Sequence, residues 1–385
     1  MDKVFNKRQT AEVADVFLSC SEDFLHINHI CHQQQKAFND IICCRTSQMG
    51  GHISTCNHCG YKQQAYNSCH NRHCPKCQFL KQEQWVDKLK GRLIPGRYFH
   101  IVFSVPHLLT QLFYINQKLC YKLMFEASSL ALQRAGRNPR FLGADTGAVA
   151  VLHTWGQTLS YHPHIHMLVP GGGLSEDGME WTESPKKFFV PVKALSAMFR
   201  GILIRLIKEQ LDKNAIRLPD EFPDFTELKR RLYEKNWNVY SKKALTGVNS
   251  VLEYLGRYTH RVAISNSRIT RIENGEVTFR YKNYRKKGIQ QLMTISCTEF
   301  TRRFMMHILP MGFYKIRYYG ILATANINTK RQQAIALIGK SILLPRLEGL
   351  NAYEVYRILR GKDPARCPKC NIGIMVRYTL EAASG

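Results

Sequence analysis

Residues 161–174 read YHPHIHMLVPGGGL, and the fold turns on how this stretch is read. His162, His164 and His166 alternate with Pro163 and Ile165. Alternate residues of a strand share one face, so the three imidazoles project together while Pro163 and Ile165 point the other way. The apolar run at 167–170 makes this an internal strand, and the glycines at 171–173 close it. Imidazoles on an internal strand need partners, and a divalent metal is a good one. Two imidazoles with a carboxamide or carboxylate as third ligand leave positions open on the ion, which catalysis requires.

Working outward, YFHIVFSVP (98–106) and GAVAVLHTWG (147–156) are further β-rich runs, with a helical pattern at 108–134 between them. Helical patterns return at 193–213, 226–236 and 246–260, and 268–281 reads as a hairpin turning on Asn274-Gly275. Upstream, 10–43 reads as two short helices. Residues 50–79 lose periodicity and fill with Cys, His, Asn and Gly, and a polar helix at 80–93 ends at Pro95-Gly96. The expected class is α+β: a central antiparallel sheet flanked by helices, plus a small N-terminal zinc-binding domain. The expected division is a helical and zinc-binding domain at 1–95, a catalytic core at 96–265, a basic DNA-binding hairpin and helical extension at 266–345, and a C-terminal tail at 346–385 carrying a second C-x-x-C.

The 385 residues carry 55 Lys and Arg against 29 Asp and Glu, a formal charge of +26. A surplus of this size neutralises phosphates and releases their counterions, so nucleic acid is the expected partner. No apolar run of membrane-spanning length and no charged-then-apolar leader stands out, so a soluble, cytoplasmic protein without a membrane partner is expected. The sequence assigns no oligomeric state.

Of thirteen cysteines, five fall between Cys56 and Cys77. Cys56-Asn-His-Cys59 and Cys74-Pro-Lys-Cys77 are two tight knuckles that together supply the tetrahedral thiolate set of a closed structural zinc. Cys69 with His73 is an alternative ligand pair in the same segment. Cys367 and Cys370 form half a ribbon with no second knuckle near them in sequence.

In VLEYLGRYTHR (251–261), Tyr254 and Tyr258 stand four apart, one helical turn, with Arg257, His260, Arg261 and Arg268 nearby as phosphate-binding cations. A metal held by histidines beside a tyrosine and several arginines suggests one reaction: in-line attack of the phenol oxygen on a phosphate polarised by the metal. That forms a 5′-phosphotyrosine and frees a 3′-hydroxyl. The bond energy is conserved, so the outcome is strand transfer.

His164-Ile165-His166 resembles the signature of HUH endonucleases. Longer stretches resemble transposases of the insertion sequence 91 family, including the common-region elements: 50–78 (GGHISTCNHCGYKQQAYNSCHNRHCPKCQ), 153–174, 254–269 (YLGRYTHRVAISNSRI), 277–288 and 299–323. The resemblance covers most of the chain in order. It implies a rolling-circle transposase with an N-terminal zinc-binding domain and an HUH nuclease core, acting on single-stranded DNA at insertion-sequence ends and target sites. Carried over, His164 and His166 hold a catalytic Mg²⁺ or Mn²⁺, and Tyr258 and Tyr254 are the nucleophiles of a one- or two-tyrosine mechanism. Gln157 is the expected third ligand. His162 is a supporting or DNA-contacting group, because three same-face residues span about 13 Å, too far for one ion without a bulge. Glu253 is a candidate base.

FRYKNYRKK (279–287) interleaves Arg280, Lys282, Arg285 and Lys286 with aromatics, a pattern for gripping backbone and stacking bases, and with Arg257, Arg261 and Arg268 these are the expected DNA contacts. No G-x4-G-K-[ST] occurs, so strand separation falls to a host helicase or to DNA already single-stranded. Two rivals share parts of this pattern. One is a rolling-circle replication initiator or relaxase with the same chemistry; the other is a non-catalytic zinc DNA-binding protein.

Overall fold

The computed structural model describes residues 11–77, 79–185, 190–245, 263–286 and 288–380. The N-terminal region forms three helices where two were expected: α1 (Val13–Leu18), α2 (Ser21–Ile27) and α3 (His32–Cys43). Two strands follow, β1 (Gly51–Cys56) and β2 (Lys62–Tyr66), and then α4 (Phe79–Lys90).

Next come β3 (Tyr98–Ser104), α5 (Thr110–Ile115) and α6 (Gln117–Arg137). The single helix expected at 108–134 breaks at Asn116, whose carboxamide donates to the carbonyls of Leu112 and Arg217 and so competes with the helical ladder. Strands β4 (Gly147–Trp155) and β5 (Tyr161–Pro170) form a hairpin, followed by the short pair β6 (Gly172–Leu174) and β7 (Trp181–Glu183). Helices α7 (Val192–Asp212) and α8 (Phe225–Tyr233) lead to β8 (Val239–Leu245). The C-terminal part holds β9 (Ile269–Glu273), β10 (Glu276–Asn283), β11 (Ile289–Ser296), α9 (Cys297–Met305), β12 (Ile316–Gly320), α10 (Lys330–Ile338), α11 (Ala352–Arg360) and β13 (Met375–Leu380).

The central sheet has five strands in the order β12-β4-β5-β3-β8, every neighbouring pair antiparallel. Its pleat divides β5 cleanly. Ile165, Met167 and Val169 are buried with Phe99, Ile101 and Phe103 of β3 and Ala148, Ala150 and Leu152 of β4 in the main core, which α6 and α7 complete through Phe125, Leu132, Phe199 and Leu203. The opposite face carries the histidines.

That opposite face meets two further apolar clusters. Tyr98, Val149 and Leu168 pack with Leu89 of α4, Leu322 and Ala334 of α10. The other cluster joins Phe17, Phe24 and Phe38 of the N-terminal helices to Phe279, Phe300 and Phe304, and takes in Leu159 and Trp155 from the β4–β5 turn. Phe17 stacks on Phe38 at 5.1 Å and meets Phe304 edge-on at 5.2 Å. The histidines therefore sit between two dry clusters on one sheet face. Among the described residues, no helix is long and apolar enough to cross a membrane.

Candidate metal centre

On β5, His164 lies directly opposite His153 of β4 and Ser104 of β3, and His166 lies opposite Val102 and Val151. His153, His164 and His166 each aim a ring nitrogen into one space, the three nitrogens lying within 4.8 Å of one another. The expected pair is thus joined by a third imidazole from the neighbouring strand. Gln157, the expected third ligand, sits in the turn beyond Trp155, where its carboxamide oxygen accepts from the Lys282 amide at 3.3 Å, while His153 comes to the pair. The cause is a register shift between His153 and Trp155. With Trp155 opposite Tyr161, a regular ladder would set His153 against Pro163; the extra residue of the bulge sets it against His164 instead.

Further hydrogen bonds fix which nitrogens face the centre. His164 Nδ1 donates to the carbonyl of His162 at 2.7 Å, leaving Nε2 for a ligand. His166 Nδ1 bonds Nε2 of His100, a buried histidine of β3, at 2.8 Å. Such outer partners hold a ligating ring in one tautomer and orientation. His162 contributes its backbone to this arrangement and stays outside the three-nitrogen group. Loss of solvation, aided by the neighbouring His162, pushes the His164 pKa down to about 4, so the ring is neutral and has a lone pair to give near pH 7. Three imidazoles converging on one space fit a divalent cation and leave coordination positions for other oxygens.

The hairpin that carries this centre is gripped from outside. The carbonyls of Gln157, Thr158 and Leu159 accept, in turn, from Arg268 (2.6 Å), Arg303 (3.0 Å) and His307 (3.0 Å). Leu159 has a left-handed backbone (φ 61°) with its side chain fully buried, a costly conformation for a branched residue that these three bonds hold in place. Arg268, an expected DNA contact, also donates to the Arg280 carbonyl at 2.7 Å and so ties the turn to the hairpin. Arg280 is exposed and donates to the Ser267 carbonyl, while Lys282 and Lys286 are exposed on the β10–β11 hairpin beside the exposed Tyr284. Arg285 belongs to the short turn of helix at 284–286, its side chain outside the described set. Tyr254, Tyr258, Arg257, Arg261 and Glu253 lie outside the described residues.

The cysteines divide differently from the expectation of one site built from Cys56, Cys59, Cys74 and Cys77. Cys74 and Cys77 join Cys44 and Cys69, whereas Cys56 and Cys59 join Cys367 and Cys370. In the first group Cys77 Sγ lies 3.4 Å from Cys44 Sγ and 3.6 Å from Cys69 Sγ. The two knuckles fall into separate thiol groups, because the β1–β2 hairpin carries the first away from the loop that holds the second. Cys44 was missed because it lies 25 residues before Cys69 at the end of a helix, with no knuckle spacing to mark it. His73 is no ligand either: its Nε2 accepts from Arg72 Nε at 3.3 Å and from the Leu309 amide at 3.4 Å. Arg72 in turn donates to the carbonyls of Leu309, Pro310 and Phe313, bolting this loop to the chain ahead of β12.

With this geometry in hand, comparison with known proteins places the chain. Residues 16–105 match a family model described as "Transposase zinc-binding domain", a span containing the whole Cys44/Cys69/Cys74/Cys77 group, and residues 147–331 match one described as "Putative transposase". A protein of Sinorhizobium fredii named "Putative transposase y4qJ" is 40% identical over 98% of this chain and 97% of its own length. "Transposase for insertion sequence element IS801", from Pseudomonas savastanoi pv. phaseolicola, is 30% identical over 88% of this chain and 77% of its own. The chain belongs to the insertion sequence 91 family of transposases. No solved structure matches it. As a member of this family the chain is a DNA-binding, DNA-cleaving enzyme with an N-terminal zinc-binding domain.

Proposed function

We propose that this transposase nicks and rejoins one DNA strand at insertion-sequence ends through a 5′-phosphotyrosine intermediate, in rolling-circle transposition. The observation that carries the proposal is the convergence of His153, His164 and His166, whose supporting bonds leave nitrogens of His164 and His166 facing one space. A divalent ion held there, Mg²⁺ or Mn²⁺, supplies Lewis-acid polarisation of the scissile phosphate. The nitrogen-rich donor set favours Mn²⁺ over Mg²⁺.

Tyr258 is the leading nucleophile, with Tyr254, four residues before it in the sequence, as its partner. The phenol oxygen bonds to phosphorus as the bond from phosphorus to the 3′-oxygen breaks; the phenol proton leaves to a base and the departing oxygen gains one as a 3′-hydroxyl. Attack by a 3′-hydroxyl on the phosphotyrosine reverses these changes and rejoins a strand. Arg257, Arg261, Arg268, Arg280, Lys282, Arg285 and Lys286 hold the phosphate backbone, and Arg268 also ties the hairpin that carries Arg280 and Lys282 to the β4–β5 turn. The domain division proposed from the sequence follows this allocation: zinc module, nuclease core, basic extension and tail.

The test is to incubate the protein and Mn²⁺ with labelled single-stranded DNA from the ends of its own element and resolve covalent adducts on denaturing gels. The expected result is an adduct on the fragment lying 3′ of the cut, joined through its 5′ phosphate, that Tyr258→Phe removes without loss of DNA binding. Strand cleavage without any protein adduct, or binding without cleavage, would overturn the reading.

A further inference from the structure

The zinc-binding domain that the family comparison recognises ends at residue 105, yet two of its thiols, Cys56 and Cys59, face Cys367 and Cys370 more than 300 residues later. We propose that these four cysteines bind a second structural zinc ion, which clasps the C-terminal strand onto the N-terminal module.

The sulfur positions fit that ion. Cys56 Sγ lies 3.7 Å from Cys370 Sγ, and Cys59 Sγ lies 3.7 Å from Cys367 Sγ. A tetrahedron with bonds of about 2.3 Å to zinc has edges of about 3.8 Å, whereas a disulfide would bring two sulfurs to about 2.05 Å. All four thiols are free.

The two knuckles are also built alike, although only one belongs to the recognised domain. In each, the residue after the second cysteine takes a left-handed backbone: Gly60 at φ 69° and Asn371 at φ 57°. Each of those residues donates its amide to the carbonyl of the first cysteine, Gly60 to Cys56 at 3.1 Å and Asn371 to Cys367 at 3.0 Å. Amides point at the sulfurs in both, from His58 and Cys59 to Cys56 Sγ, from Lys369 to Cys367 Sγ and from Gly373 to Cys370 Sγ. Amide donors at sulfur favour the thiolate that a metal requires. The knuckles meet closely. A Cβ on Gly373 would fall 2.5 Å from Cys56 Sγ, and Asn57 ties the two together by accepting from the Ile374 amide at 2.8 Å.

Little else holds this part of the molecule. Strands β13, β1 and β2 form a separate three-stranded sheet. Within 50–66 and 361–380 the buried apolar side chains are the thiols of Cys56 and Cys367, and no residue of either span belongs to an apolar cluster. Strand pairing from Gly51 with Leu380 to Cys56 with Met375 brings little apolar burial with it. A metal that four thiolates coordinate supplies what the missing core does not.

The test uses the full chain reconstituted with Co²⁺, because the sulfur-to-cobalt charge-transfer band counts tetrathiolate sites and ignores the histidine centre. Wild type should titrate to two tetrathiolate sites. Cys367→Ser/Cys370→Ser should halve the band and speed hydrogen exchange across 375–380, while amides of β4 and β5 stay protected. Gly373→Ala keeps every cysteine and should weaken cobalt at one site and leave the other unchanged. Saturation of wild type at one site, an undiminished band in the double serine variant, or a wild-type mass showing a disulfide among these four thiols would overturn the proposal. If the double variant also loses protection in β4, the Gly373→Ala titration decides: two unequal sites support the clasp, and two unchanged sites contradict it.

Discussion

At His307, both imidazole nitrogens are committed in the neutral form. Nε2 donates to the Leu159 carbonyl at 3.0 Å, so Nδ1 is left to accept from Thr154 Oγ1 at 3.2 Å. Burial pushes the pKa of His307 down to about 4, against about 6.5 for an unfolded histidine. The native state therefore binds fewer protons than the unfolded state between these two values, and stability is lost as pH falls through that window. Wild type should lose about 1 kcal/mol more than His307→Gln between pH 7 and pH 5.5, measured by urea unfolding with the metals held constant. Equal losses would show that His307 titrates normally. Residue-scale legibility was uneven for a physical reason. Strand period alone put His164 and His166 on one face, but His153 became their partner through a bulge that no spacing rule announces. The thiol spacing identified knuckles as metal ligands and could not say which knuckle shares an ion with which, because that depends on contacts between residues 308 apart.

At the scale of elements, the hairpin turning on Asn274 and Gly275 was legible because both residues take positive φ (51° and 75°), as a two-residue hairpin turn demands. The outer strands of the central sheet were not. β12 reads IRYYG and β8 reads VYSKKAL, short runs whose mixed composition gives no clean alternation, and each becomes a strand by pairing with a hydrophobic neighbour already in place. The close of β12 depends on Gly320, which has φ 58° and lies where a Cβ would come 1.9 Å from the Thr146 carbonyl oxygen. Gly320→Ala should cost about 3 kcal/mol or more, combining left-handed strain with backbone overlap. Thermal unfolding measures this directly; a loss below about 1 kcal/mol would show that β12 can detach from β4 at little cost.

Over the whole molecule, the chain's two ends are woven into one another. N-terminal aromatics share a core with Phe279, Phe300 and Phe304, Arg72 of the first cysteine loop holds the chain at 309–313, and β13 completes the N-terminal sheet. The α+β class and the three inner strands of the central sheet followed from periodicity, whereas this interlocking came from contacts of very long sequence separation. The formal charge of +26 accords with a DNA-binding enzyme. We propose that His153, together with His164 and His166, holds the ion on which cleavage depends. The most direct measurement is Mn²⁺-dependent covalent adduct formation on single-stranded element-end DNA by His153→Ala and Gln157→Ala, side by side with wild type. His153→Ala should lose adduct at least about 100-fold and Gln157→Ala should stay within a few-fold of wild type; adduct lost in Gln157→Ala and retained in His153→Ala would show that Gln157, not His153, completes the site.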